Sequence, residues 1–202
     1  MFIDEKAGEI NVKVVYHGPG LGGKTSCLQY VFNKTRPYVR SQMVSVASET
    51  ERSLFFSFLP LTLPAIAGRR VRVWLFTVPG PVFYDSSRRL ILKGADAVMF
   101  VADSQEERLE ANVESLESLE NMLATNLAYR QPIPRVFSYN KRDLPNAAPV
   151  AELEAALNPC GVHPSAATIA AHGVGVFEAL KTLIRPVLVV VRRELGDAEP
   201  AG

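Results

Sequence analysis

A chain of 202 residues fits a single hydrophobic core, so no second domain is required. Hydrophobic residues make up 48% and charged residues 21%, which excludes a disordered or fibrous chain. The formal net charge of +1 gives no general attraction to nucleic acid or acidic lipid, and two cysteines, Cys27 and Cys160, supply neither a metal-site spacing nor a disulfide framework.

The opening Met1-Phe2-Ile3-Asp4-Glu5-Lys6 lacks the basic start and apolar run of a secretion signal. No stretch approaches the roughly 18 apolar residues of a membrane span, so a cytoplasmic location without a transmembrane segment is expected. Val12, Val14 and Val15 belong to a β-branched run that ends at Tyr16 and reads as a strand, and a Gly-rich loop follows directly. Leu28, Val31 and Phe32 then recur at helical spacing until Pro37 stops the helix. Residues 35–51 show no sustained period and read as a surface loop with room for one short strand.

Two strands are predicted over 53–63 and 71–78, paired antiparallel across a turn at Ala67-Gly68-Arg69. A helix over 85–93 precedes an apolar strand over 97–102, buried on both faces. Next come an amphipathic helix over 106–129, a strand over 136–139, a short helix over 150–157, a weak strand over 167–170 and a last helix from Val176. Pro186 should kink that helix, and residues 187–191 are β-branched enough to resemble a strand, yet the helical reading is kept. Residues 1–196 thus read as one domain, with 197–202 as a frayed, disordered tail. The alternation predicts an α/β fold: a mostly parallel central sheet with one antiparallel strand pair, helices on both faces, and ligands at the carboxyl ends of the strands.

Gly18-Pro19-Gly20-Leu21-Gly22-Gly23-Lys24-Thr25 satisfies G-x-x-x-x-G-K-[ST] between a predicted strand and a predicted helix, the context a phosphate-binding loop requires. Backbone N–H groups must converge on phosphate oxygens there, which demands unusual dihedrals and no obstructing side chains, and the helix N-terminus adds partial positive charge. Gly18, Gly20, Leu21, Gly22, Gly23, Lys24, Thr25 and Ser26 are therefore the candidate phosphate residues. Lys24 would reach the β- and γ-phosphates, and the Thr25 hydroxyl would ligate Mg²⁺. The competing reading is a chance Gly-rich turn, against which the flanking elements argue.

Asn140-Lys141-Arg142-Asp143 follows a strand and fits the N-K-x-D pattern that selects guanine. The Asp143 carboxylate can accept from guanine N1–H and the 2-amino group, and adenine offers neither in that geometry. Asn140 would tie this loop to the phosphate loop, and the aliphatic stem of Lys141 would cover the base. Alone, four polar residues after a strand are as readily a solvated turn. Ala170-Ala171-His172-Gly173 falls where a backbone N–H, that of Ala171, could meet guanine O6.

These motifs, with Glu49-Thr50-Glu51-Arg52-Ser53-Leu54-Phe55-Phe56, Thr77-Val78-Pro79-Gly80, Val82-Phe83-Tyr84-Asp85, Leu90-Ile91-Leu92-Lys93-Gly94, Val101-Ala102-Asp103-Ser104-Gln105 and Leu144-Pro145-Asn146-Ala147, make the chain resemble the MglA-type small GTPases. These are bacterial Ras-like regulators of cell polarity and gliding motility, and the resemblance covers nearly the whole chain. It implies a P-loop NTPase fold, a cycle between GTP and GDP forms with Mg²⁺, polarity effectors that meet the GTP form, and a Roadblock-type, MglB-like activator. Residue by residue, it implies an arginine finger at Arg52, a second Mg²⁺-directed hydroxyl at Ser53 and a nucleotide contact at Gly80. The competing view of Arg52 is an exposed charge with no task.

Two departures stand out in the second switch and its neighbourhood. Pro81 stands where the family carries the glutamine that orients the attacking water, and proline has neither an amide side chain nor a backbone N–H. Ser57 stands where the family usually has an aspartate. Thr77 replaces the aspartate of many Ras-like proteins, although the MglA group itself tends to carry threonine. Two functions follow: a regulated GTPase with slow hydrolysis, or a scaffold locked in one nucleotide state. A P-loop kinase or adenine-specific ATPase would leave the Asn140–Asp143 loop without a role.

Overall fold

The computed structural model describes residues 1–46, 56–79, 85–125 and 132–196. The long strands are β2 (Glu9–His17), β4 (Phe56–Ile66), β5 (Arg69–Thr77), β6 (Ala97–Asp103) and β7 (Arg135–Asn140), joined by short β1 (Phe2–Asp4), β3 (Val44–Val46) and β8 (Ser165–Ala167) in one 8-stranded sheet. The strand order is β3-β4-β5-β2-β6-β7-β8, with β1 antiparallel to β2 off this path. Neighbours from β5 through β8 run parallel. β4 pairs antiparallel with β5, and β3 extends that antiparallel edge.

The helices are α1 (Lys24–Lys34), α2 (Asp85–Leu92), α3 (Leu109–Ala124), α4 (Val150–Leu157) and α5 (Val176–Glu194). Strand periodicity separates two apolar layers. Met99 and Val101 of β6 pack with Leu28 of α1 and Leu183 of α5, while Val98 and Phe100 pack with Leu92 of α2, Leu119 of α3 and Leu153 of α4. Residues that alternate along one strand thus serve opposite layers, which places α1 and α5 on one face and α2, α3 and α4 on the other. The predicted α/β architecture is the observed one.

Differences lie at the margins. β1 has three residues, too few to show a period. The hairpin turn closes at Ala67 and Gly68, both with positive φ, and Arg69 already belongs to β5. Glu106–Arg108 forms a 3₁₀ turn ahead of α3, and the expected helical residues 126–129 lie outside the described residues. The weak strand expected over 167–170 is corrected to Ser165–Ala167, because the chain from Thr168 onward turns to serve Asn140. α5 continues through Pro186. The tail over 197–202 lies outside the described residues.

Candidate functional site

β2 feeds the phosphate loop at Gly18, and α1 leads away from it at Lys24. Gly18 takes φ 137°, and a Cβ there would lie 2.1 Å from the Val101 carbonyl oxygen in β6. A Cβ on Gly23, at φ 102°, would lie 2.1 Å from Nδ2 of Asn140. Close approach of phosphate is one reason for such glycines. The packed protein behind the loop is a second, invisible in the motif. Leu21 carries φ 63° and is 89% exposed at the tip.

The N–H groups of Gly20, Leu21, Gly23, Lys24, Thr25 and Ser26 have no hydrogen-bond partner among the described residues. Gly22 donates to Pro19 at 3.3 Å, and regular helical bonding resumes with Cys27 to Gly23 at 2.9 Å. These amides gather at the positive end of α1, where anions are favoured. Lys24 is buried and donates to the carbonyls of Gly18 at 2.8 Å and Pro19 at 2.6 Å. Burial first, then the neighbouring Arg88, pull its ammonium down to about 7, so an anion placed here would favour the charged form.

Asn140, at the end of β7, joins three segments. Its Nδ2 donates to the Gly22 carbonyl at 2.8 Å, and its Oδ1 accepts from the Ala170 N–H at 2.8 Å and the Thr168 hydroxyl at 3.3 Å. Lys141, at φ 66°, donates through Nζ to Asp103 at 2.5 Å and to Gln105 at 3.2 Å. Asp143 follows on the exposed turn and has no hydrogen-bond partner among the described residues. Ala171 is exposed, and its N–H has no partner among the described residues.

Two residues given no role in the sequence reading complete the arrangement. Asp103, buried at the end of β6, receives Lys141 and lies 3.8 Å from Arg108. Arg108 in turn donates to the Gly20 carbonyl at 2.9 Å. Asp103 had a visible cue, a carboxylate closing an apolar strand. Arg108 had none, because its contact depends on the turn that follows.

The Thr25 hydroxyl is exposed without a hydrogen-bond partner among the described residues, and no group of three or more His, Cys, Asp or Glu there could hold a metal. One hydroxyl beside a phosphate socket fits Mg²⁺, which keeps most of its waters and takes few protein oxygens. At the end of β5, the Thr77 hydroxyl accepts from the Ser57 N–H at 2.8 Å, and Ser57 Oγ lies 2.9 Å from Ser45 Oγ. The serine is thus absorbed into pairing between strands. Arg52, Ser53, Gly80 and Pro81 lie outside the described residues.

No protein-family model matches the chain. Over 192 residues it is 52% identical to the mutual gliding-motility protein MglA of Myxococcus xanthus (strain DK1622), an alignment that spans 95% of this chain and 98% of the relative.

Proposed function

The chain belongs to the MglA-type Ras-like small GTPases, and we propose that it is a cytoplasmic guanine-nucleotide switch that hydrolyses GTP slowly and regulates cell polarity or gliding motility. Effectors would meet its GTP form, and a Roadblock-type, MglB-like activator would speed turnover. The observation that carries the reading is the row of amides beside Lys24 that have no partner among the described residues, tied through Asn140 to the loop that holds Ala171.

In this reading, the amides of Gly20, Leu21, Gly23, Lys24, Thr25 and Ser26 donate to phosphate oxygens, and Lys24 adds charge at the β- and γ-groups. Asp143 accepts from guanine N1–H and its amino group, Ala171 donates to O6, and adenine would leave these groups unpaired. Thr25 and Ser53 would hold Mg²⁺, which when bound neutralises charge on the phosphates. Arg52 offers a planar, permanent cation to the transferring phosphoryl group, a role worth about 10³ to 10⁵ in rate in related enzymes. Pro81 cannot orient the attacking water, which is the reason to expect slow hydrolysis.

The same proline motivates a second reading, a scaffold that keeps its nucleotide and never turns over. Single-turnover GTP hydrolysis by the wild type, Arg52→Ala and Pro81→Gln separates the two. A measurable wild-type rate that Arg52→Ala abolishes supports the slow enzyme. No detectable rate, with rescue by Pro81→Gln, supports the scaffold. Equal phosphate release from all three proteins overturns both roles. Chromatography of the co-purified nucleotide tests the ligand itself, and the absence of any GTP or GDP affinity that Lys24→Ala removes would sink the reading.

A further inference from the structure

The loop after β8 is held at two points that flank Ala171. On one side Ala170 donates its N–H to Asn140. On the other, Gly173 lies against the Tyr30 ring of α1 so closely that a Cβ on the glycine would sit 1.7 Å from Cζ and 2.1 Å from Cε2. Gly173 also takes φ 78°, a left-handed conformation that side chains oppose. Within the loop, His172 and Gly173 both donate to the Ile169 carbonyl, at 3.1 and 2.7 Å, and Ile169 donates to Val174 at 2.9 Å. Of the amides from 169 to 173, only that of Ala171 lacks a partner among the described residues.

Tyr30 is itself wedged. Its ring meets Phe177 of α5 edge-on at 6.0 Å between centroids, and the Lys34 ammonium lies 5.9 Å from its centroid. It also belongs to the helix whose N-terminus carries the phosphate-loop amides that lack a partner among the described residues. One rigid element therefore supports both the phosphate socket and the far end of the base loop.

We propose that Tyr30 and Gly173 form a positioning pair that holds the Ala171 N–H at the place of the base's 6-substituent, so that their fit sets selectivity for purines with an oxygen acceptor there. The inference rests on the guanine-nucleotide reading above. Neither residue touches the nucleotide; both act through the placement of one amide.

The test compares the affinities of GDP, 6-thio-GDP and inosine diphosphate for the full-length wild type, Gly173→Ala, Tyr30→Ala and the double variant. 6-thio-GDP keeps the donors that face Asp143 but replaces O6 with a weak acceptor, whereas inosine diphosphate keeps O6 and loses the amino group. The wild type should prefer GDP to 6-thio-GDP by about tenfold, one hydrogen bond's worth. Gly173→Ala should collapse that preference and leave the preference for GDP over inosine diphosphate in place. Tyr30→Ala, which keeps the glycine and removes the support, should lower the same ratio and serves if Gly173→Ala fails to fold. In the Tyr30→Ala background, adding Gly173→Ala should change the ratio by no more than about twofold.

Equal losses for all three nucleotides would reduce the pair to ordinary packing and overturn the inference. A wild type that binds GDP and 6-thio-GDP equally would also overturn it. A wild type that binds none of them overturns the nucleotide reading instead.

Discussion

His17 closes β2 with its side chain wholly buried, its ring stacked on Phe100 at 6.2 Å between centroids, and neither ring nitrogen partnered among the described residues. Burial first, then the charges of Arg88, Lys24 and Arg135, hold its pKa well below the usual 6.5. The folded protein therefore keeps the ring neutral, while the unfolded chain takes up a proton below that value. Stability from this residue is complete above pH 6.5 and declines as pH falls below it, by up to about 1.4 kcal/mol per pH unit. His17→Leu should flatten the acid limb of stability in urea titrations; an unchanged limb assigns the acid sensitivity elsewhere. Arg108 gives a second expectation. It is 34% exposed, so its bond to Gly20 is worth only about 1 kcal/mol. Arg108→Ala should speed GDP release about three- to tenfold, measured by displacing a fluorescent analogue with excess GDP. Release at the wild-type rate would show that the tether does not restrain the loop. The unusual backbone of residues 18–25 and the tie from Asn140 to Gly22 were legible in the sequence because their motifs encode backbone geometry at fixed spacing. Arg108 and Tyr30 were not, since a side chain that reaches across the fold obeys no spacing rule.

Periodicity revealed the long elements, because burial on one or both faces forces it: β6 reads as a continuous apolar run, and every one of its residues is buried. It failed where an element is short or where side-chain bonding competes with pairing. β1 is the first case, and β8, displaced by the bonds that Thr168 and Ala170 make to Asn140, is the second. α5 resolves a conflict within the sequence. Leu183, Ile184, Val187 and Val191 are buried at helical spacing, whereas Pro186 and Thr182 are exposed. The carbonyl that loses its donor to proline therefore belongs to a residue on the solvent side, and water can replace the missing bond. Pro186→Ala should restore a helical hydrogen bond and raise the unfolding free energy by about 2 kcal/mol, allowing for the greater freedom of the unfolded chain. No rise in the urea midpoint would mean that the helix is already strained to suit proline.

The parallel strands bring the candidate site together by their register. His17 lies beside Phe100, and Asp103 beside Asn140, so the carboxyl ends of β2, β6 and β7 deliver the phosphate loop, the Asp103 anchor and the base loop to one edge. If guanine nucleotide binds there, GDP at a hundredfold excess over its dissociation constant should stabilise the fold by about 2.7 kcal/mol. That shift should vanish in Lys24→Ala, as read by thermal denaturation; persistence of the shift would mean that GDP binds elsewhere.

Because Gly18 lies against the carbonyl of Val101, the central strand itself fixes the path of the loop that would receive the phosphates. A loop held in this way should admit competing nucleoside diphosphates at similar speeds. Discrimination should then fall on residence time, with the wrong base leaving sooner.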